Sequence, residues 1–197
     1  MASQKYKLSF TAASLSIREA VNIAEVYLQS RNWAQTKQII KNENLLQSRT
    51  NSRTIRVARE LIQRLENLSD AQIELLVSGN PTEQKCLLWF AVCRTYELNR
   101  AFAVEVLHEK YIGRSMKLTE LDYDAFFNRK ADWSEDLNQI TTSTQKKIRQ
   151  VMLLMLKEAD LLTDDNLILR AMLSGRLLEA LKPSDSMVYQ IFPVEPL

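Results

Sequence analysis

Apolar residues recur at intervals of three and four positions along nearly the whole chain. This spacing places them on one face of an α-helix, so it predicts a succession of amphipathic helices. Several of the apolar runs are preceded by a residue that can cap a first helical turn, with Glu or Gln three positions later. These pairs are Ser16 with Glu19, Asn32 with Gln35, Ser69 with Gln72, and Asn80 with Glu83. The pattern predicts an all-α protein.

The clearest boundary between two helices is GNPTEQ, residues 79–84. Gly79 suits the end of one helix and Asn80 suits the N-cap of the next, with Pro in its first turn. We place a domain boundary here. The prediction is an N-terminal helical domain, residues 1–79, which carries a basic face, and a C-terminal helical domain, residues 80–197.

The pattern changes after residue 162. NLILRAML, residues 166–173, fits either a strand or a short helix, and SGRLLEAL after it is helical. MVYQIF, residues 187–192, has the β-branched and aromatic composition of a strand. The prediction is therefore a multi-helix globular fold that leaves room for a short β-ribbon near the C-terminus.

Composition excludes several classes of protein. The chain is 46% hydrophobic and 25% charged, as in ordinary globular proteins, and its three glycines argue against a Gly-rich phosphate-binding loop. The longest uninterrupted apolar run, residues 86–93, falls far short of the roughly 20 residues that a membrane span needs. We expect a cytoplasmic protein with no membrane partner.

Signals for catalysis or metal binding are few. His108 is the only histidine, so a zinc motif with two histidines is absent. Acidic residues gather in ELDYDAFFNRKADWSED, but the spacing of a calcium-binding EF-hand, with its Gly, is missing. Helix caps and a solvated face explain these acids, which are Asp122, Asp124, Asp132, Glu135 and Asp136. We expect no enzymatic activity, no cofactor and no bound metal.

Positive charge is concentrated in one short segment, LLQSRTNSRTIRVARELIQRL, residues 45–65. Its five arginines stand against a single glutamate and are Arg49, Arg53, Arg56, Arg59 and Arg64. A helical wheel places Arg53, Arg56 and Arg64 opposite the apolar stripe, with Arg59 at the margin. The segment is therefore predicted to be a helix with one packed face and one cationic face.

The surrounding sequence is also basic. Residues 31–66 hold eight Lys or Arg against three Glu, a net charge of +5, whereas the whole chain has a net charge of +2. Two of the eight are Lys37 and Lys41. A second basic group, on a later predicted helix, adds further candidate contacts: Lys146, Lys147 and Arg149.

Two interpretations of these basic residues are open. The first is an ordinary solvated helix face, which explains most runs of charge. The second is binding to phosphates. It is favoured by the scarcity of acidic residues four positions away and by the use of Arg, whose planar guanidinium pairs with phosphate oxygens. The residues alone do not separate the two.

The chain as a whole resembles the BrxA family, a component of the BREX phage-defence systems of bacteria. The resemblance covers roughly residues 8–162 and is dispersed over many short matches in the same order, with a less clear similarity at IFPV near the end. It departs at Asp160, where a small residue is expected. The matching stretches are LSFTAASLSIREAVNIAEVYL, NW, ENLLQSRTNSRTIRVARELIQRL, LLWFAVCRTYELNRAFAVEVLHEKY, LDYDAFFNRKADW and KKIRQVMLLMLKEADLL.

The resemblance implies a small, non-catalytic helical protein that binds double-stranded DNA, with a fold likened to that of the antitermination factor NusB. By position, it assigns the DNA contacts to the arginine segment. The expected partners are double-stranded DNA, held mainly by its phosphates, and other BREX proteins. Two alternatives stay open: an adaptor that docks its arginine helix on an acidic protein surface, and an RNA-binding protein similar to NusB.

Overall fold

The computed structural model describes residues 6–43, 51–182 and 185–195. In this part of the chain, helices make up most of the fold, and the longest connection between them is residues 159–174, which confirms the all-α class. A 3₁₀ turn, Ser9–Ala12, precedes the first α-helix, and a π-helix, Ala103–His108, lies between the sixth and the seventh. The α-helices are α1 Ile17–Ser30, α2 Trp33–Glu43, α3 Asn51–Leu65, α4 Asp70–Ser78, α5 Pro81–Thr95, α6 Glu97–Phe102, α7 Glu109–Ile112, α8 Glu120–Ala131, α9 Glu135–Asn138, α10 Thr142–Glu158, α11 Gly175–Leu181 and α12 Asp185–Ile191.

Helix α5 is the centre of the core. Residues 86–93 are apolar on every side of the helix, and none of them is more than 2% exposed. Helices α1, α3, α4, α10 and α12 all pack against α5, as expected for a helix that is apolar all round. Buried side chains from Tyr6 to Val194 form one hydrophobic core. The predicted division into domains 1–79 and 80–197 stays a prediction.

The local helix signals are mostly confirmed. Ser69 and Asn80 each form a full capping box with the residue three positions later, and Gly79 ends α4. The box predicted at Ser16 is wrong, because Ser16 lies in the left-handed region with φ 50° and its side chain makes no capping hydrogen bond. An N-cap side chain reaches the first turn from an extended backbone, which Ser16 does not have.

The two stretches with strand-like signals have opposite outcomes. Residues 166–173 form no helix, and two of them make isolated antiparallel bridges: Leu167 pairs with Lys117, and Ile168 pairs with Leu162. MVYQIF is helical instead, and most of it lies in α12. The β-ribbon prediction is wrong there, because apolar side chains three positions apart, Val188 and Ile191, both enter the core.

Candidate nucleic-acid interface

Helix α3 brings part of the arginine segment to the surface. Its apolar stripe, which includes Ala58, Leu61 and Leu65, is buried in the core. Arg56 and Arg59 are exposed, as predicted. Arg49 and the side chain of Arg53 lie outside the described residues, so the predictions made for those two stay predictions.

Arg64 has the opposite environment and is only 1% exposed. Its Nε donates to Oε1 of Glu60 at 2.9 Å. Its terminal nitrogens donate to the carbonyl oxygens of Ser14 at 2.5 Å, Ala13 at 2.8 Å and Phe10 at 3.3 Å. The prediction that Arg64 belongs to the exposed cationic face is wrong. Its placement opposite the apolar stripe is also wrong: at about 100° per residue, Arg64 lies only about 20° from Val57 and about 40° from Leu68, at the edge of the packed face, where residues 10–14 cover it.

Glu60 and Tyr96 complete this buried cluster. The Tyr96 hydroxyl donates to Oε1 of Glu60, the same oxygen that accepts from Arg64. Gln63 Nε2 donates to the Tyr96 hydroxyl at 2.8 Å, and Ser9 Oγ lies 3.2 Å from it. Burial and the hydrogen bond to Glu60 raise the pKa of Tyr96 above its usual value. The cluster joins α3, α5 and the 3₁₀ turn through buried polar groups.

A groove of about 500 Å³ lies beside this cluster. The 3₁₀ turn packs against both α3 and α10, so it forms a wall between two helices that are far apart in sequence. The residues lining the groove are Ser9, Thr11, Ala12, Arg56, Arg59, Glu60, Gln63 and Lys147. The structure therefore brings Arg56 and Arg59 of the first predicted basic group together with Lys147 of the second.

The groove carries an excess of positive charge. Arg56, Arg59 and Lys147 line it, and no carboxylate among the described residues lies within ion-pair distance of any of the three. The one acid in the lining, Glu60, is 4% exposed and paired with Arg64. Such a groove is suited to an anion that can accept several charge-assisted hydrogen bonds.

The other predicted contacts differ in their surroundings. Lys37 is exposed and donates to Oε1 of Glu66 at 2.6 Å, whereas Lys41 and Lys146 are exposed without a described carboxylate partner. Arg149 is only 17% exposed and pairs with Glu120 at 3.0 Å and with Asp124 at 3.1 Å. None of these four residues lines the groove.

Sequence reasoning missed the polar residues of the groove, Ser9, Thr11 and Gln63. Ser9 and Thr11 lie in a stretch with no basic residue of its own, and they reach the groove only because the turn is packed between α3 and α10. Gln63 follows the apolar Ile62 and precedes Arg64 in α3, where a single polar residue carries no special signal. Their polar groups bond within the protein: the Thr11 hydroxyl donates to the carbonyl oxygen of Leu8 at 3.3 Å, and Ser9 and Gln63 bond to the Tyr96 hydroxyl.

The acidic stretch has structural partners. Asp122 completes the capping box of α8, whose N-cap is Thr119: it accepts from the backbone nitrogen of Thr119 at 2.7 Å, and it pairs with Lys110 at 3.0 Å. Asp124 pairs with Arg149. Across the described ranges, no three His, Cys, Asp or Glu side chains come together as a metal would need. No helix in those ranges has both the length and the apolar character to cross a membrane.

The sequence model of the BrxA family matches residues 4–185, most of the chain. The chain belongs to the BrxA family. A curated relative from Bacillus cereus (strain H3081.97), described as BREX protein BrxA, is 27% identical over 156 residues, which are 79% of this chain and 78% of the relative. The predicted resemblance is confirmed.

A solved structure shares the fold. The crystal structure of an uncharacterized protein from Magnetospirillum magneticum matches with a TM-score of 0.84 and 19% sequence identity, over 96% of this chain and all of that one. At this identity the match establishes the fold alone. The likeness to NusB stays a prediction.

Proposed function

We propose that this BrxA family protein is a non-enzymatic, double-stranded DNA-binding accessory factor of a bacterial BREX phage-defence system, acting in the cytoplasm with other BREX proteins. Membership of the family and the similarity to a curated BREX protein support the assignment to phage defence. The DNA-binding part of the proposal rests on the groove between α3, the 3₁₀ turn and α10.

The single observation that carries this part is the convergence of Arg56, Arg59 and Lys147 in one groove without described acidic partners. A solvated helix face normally carries acids that offset its bases, and the field of the groove is not offset in this way. Cations that converge from two helices suit the regularly spaced phosphates of a DNA backbone, since each arginine can fork onto phosphate oxygens.

The binding is expected to be largely independent of DNA sequence. Phosphate contacts position a protein on DNA but carry no base information. They also release condensed counterions, so affinity falls as salt rises, with a log–log slope of roughly 0.9 for each phosphate neutralised. Three groove cations that each neutralise one phosphate predict a slope of at least about 2.7.

The test is fluorescence anisotropy with two unrelated duplexes of equal length, single-stranded DNA and RNA, each titrated at several salt concentrations. Similar affinities for the two duplexes and a steep salt dependence are the expected result. No binding to either duplex at low salt overturns the proposal. Tight binding to RNA alone favours the RNA-binding alternative. If the protein binds no nucleic acid but retains the other BREX proteins in a pull-down, the adaptor is favoured.

A further inference from the structure

Residues 9–15, which include the 3₁₀ turn, form one wall of the groove, and this groove wall is held from three sides. Arg64 donates to three of its carbonyl oxygens from α3. The backbone nitrogen of Leu15 donates to Oε2 of Glu158, at the end of α10, at 2.7 Å. The Ser9 hydroxyl lies 3.2 Å from that of Tyr96, which follows α5. Residues 9–15 therefore have their position set by buried and half-buried polar bonds to α3, to α10 and to Tyr96, between α5 and α6.

The same segment separates the two sets of groove cations. The 3₁₀ turn packs against α3 on one side and against α10 on the other. Arg56 and Arg59 lie on the first of these helices, and Lys147 lies on the second. The spacing between the arginines and the lysine thus depends on where the turn is held.

We infer that Arg64 is a positioning residue for DNA binding: it touches no phosphate, and it holds the groove wall so that Lys147 and the α3 arginines reach the same DNA backbone. The inference rests on the proposed function. It gives a specific role to Arg64, the buried one of the three arginines of the segment whose side chains the structure describes.

The chemistry of the guanidinium explains why this position is an arginine. Its Nε and terminal nitrogens make four hydrogen bonds in different directions, one to Glu60 and three to the carbonyls of residues 10–14. A planar group with five fixed donors can do this, whereas the ammonium of lysine is a single point of charge with three donors. Arg64→Lys therefore keeps the charge but cannot make the same set of bonds.

The test compares Arg64→Lys with the parent protein in duplex binding, well below the melting temperature of each. The expected result is a roughly ten-fold weaker affinity, the loss of one charge-assisted contact, and a salt slope lower by about 0.9, although no groove cation has been removed. Amide hydrogen exchange at residues 9–15 should become faster, since the wall has lost its attachment.

Two controls separate positioning from simple loss of stability. Leu177→Ala removes a fully buried side chain from α11, which does not line the groove, and should lower the melting temperature with an unchanged salt slope. Arg64→Lys combined with Lys147→Ala should bind little worse than Lys147→Ala alone, because both changes remove the same contact.

The positioning role is overturned if Arg64→Lys has the affinity and salt slope of the parent, or if Leu177→Ala lowers the salt slope equally. It is also overturned if the effects of Arg64→Lys and Lys147→Ala on affinity are additive. Weaker binding with unchanged exchange at residues 9–15 also overturns it and makes Arg64 a direct contact. A parent protein that binds no duplex DNA refutes the proposed function itself, and the exchange measurement then still decides whether Arg64 holds the segment.

Discussion

Helix α10 contributes cations to two basic regions of opposite character. At the groove, Lys147 joins Arg56 and Arg59 without a described acidic partner. At the junction with α8, two residues further along, Arg149 lies between Glu120 and Asp124, beside a smaller cavity of about 270 Å³. Both regions have basic residues in the sequence. At the junction Arg149 is paired with two carboxylates, whereas Arg56, Arg59 and Lys147 have no carboxylate partner among the described residues.

The difference indicates that a candidate interface is recognised by basic residues that lack acidic partners, more than by the number of basic residues. A paired arginine such as Arg149 contributes modestly to stability and has little charge left to offer a ligand. An unpaired arginine in a concave surface contributes little to stability, and its field stays available to an anion. Four sets of variants test this contrast, in decreasing order of expected effect.

Removing both α3 arginines of the groove should have the largest effect. Arg56→Ala combined with Arg59→Ala should weaken duplex binding roughly a hundred-fold, about ten-fold for each charge-assisted contact, and lower the salt slope by about 1.8. The free energy of unfolding should change by less than about 0.5 kcal/mol per exposed site. Anisotropy and thermal melting measure the two effects.

A matched control for this double variant is Arg170→Ala combined with Arg176→Ala. Both arginines are exposed and lie outside the groove, so the change in net charge is the same. If the control weakens binding as much as the groove variant, the effect comes from overall charge and the groove is not the binding site.

Neighbouring lysines of α10 provide the next comparison. Lys147 lines the groove and Lys146 lines the cavity at the α8 junction. Lys147→Ala should weaken duplex binding about ten-fold and lower the salt slope by about 0.9. Lys146→Ala should have a clearly smaller effect in the same titration. Equal effects, or a larger one at Lys146, would contradict the assignment of the groove.

Arg149→Ala should lower stability slightly and leave duplex binding nearly unchanged, the reverse of what is expected for the groove arginines. Its side chain is 17% exposed, but its partners Glu120 and Asp124 are 73% and 41% exposed. Solvent screens such pairs, so the loss of stability should not exceed about 1 kcal/mol. Duplex affinity should change by less than about two-fold, as measured by anisotropy. A ten-fold loss would place the α8 junction in the DNA-binding surface.

The smallest effect on stability is expected from the titration of Asp122 at low pH. Burial acts to raise the pKa of Asp122, but its hydrogen bonds from Thr119 and its pairing with Lys110 outweigh burial and bring the pKa below its usual value. A lowered pKa stabilises the fold above the unfolded-state value of about 3.9, and this stabilisation is lost as pH falls through the folded-state value.

Asp122→Asn removes this titration. Melting temperatures of the parent and the variant should therefore converge as the pH falls from about 5 toward 2, with the parent more stable at neutral pH. A difference in melting temperature that stays constant over this range would contradict the role of the carboxylate. Binding to duplex DNA at pH 7 should be the same for both, because Asp122 does not line the groove.

Local features of the fold could be predicted from the sequence. The capping boxes at Ser69 and Asn80 need only residues three positions apart, and both are present. MVYQIF was misjudged because its composition suits a strand, whereas its position against the core, through Val188 and Ile191, requires a helix. Tertiary packing decided its structure against local propensity.

The candidate site could be predicted only in part, for the same reason. A helical wheel finds which side of α3 is apolar, and it places Arg56 and Arg59 correctly. A correctly drawn wheel also puts Arg64 beside Val57, at the edge of the packed face. It has no information about other segments, so it cannot foresee that residues 10–14 cover Arg64. Nor can it foresee that Lys147, on another helix, shares the groove with the arginines.

The attachment of the groove wall also has a consequence for biosynthesis. The backbone nitrogen of Leu15 donates a hydrogen bond to the side chain of Glu158, 143 residues later in the chain. At a translation rate of about 5–20 residues per second, Leu15 is made on the order of ten seconds before its partner. The groove wall can reach its final position only after α10 has left the ribosome, since Glu158 is the last residue of α10. A nascent chain that ends before α10 therefore has the arginines of α3 but no groove, and the proposed DNA-binding surface is among the last parts of the molecule to be assembled.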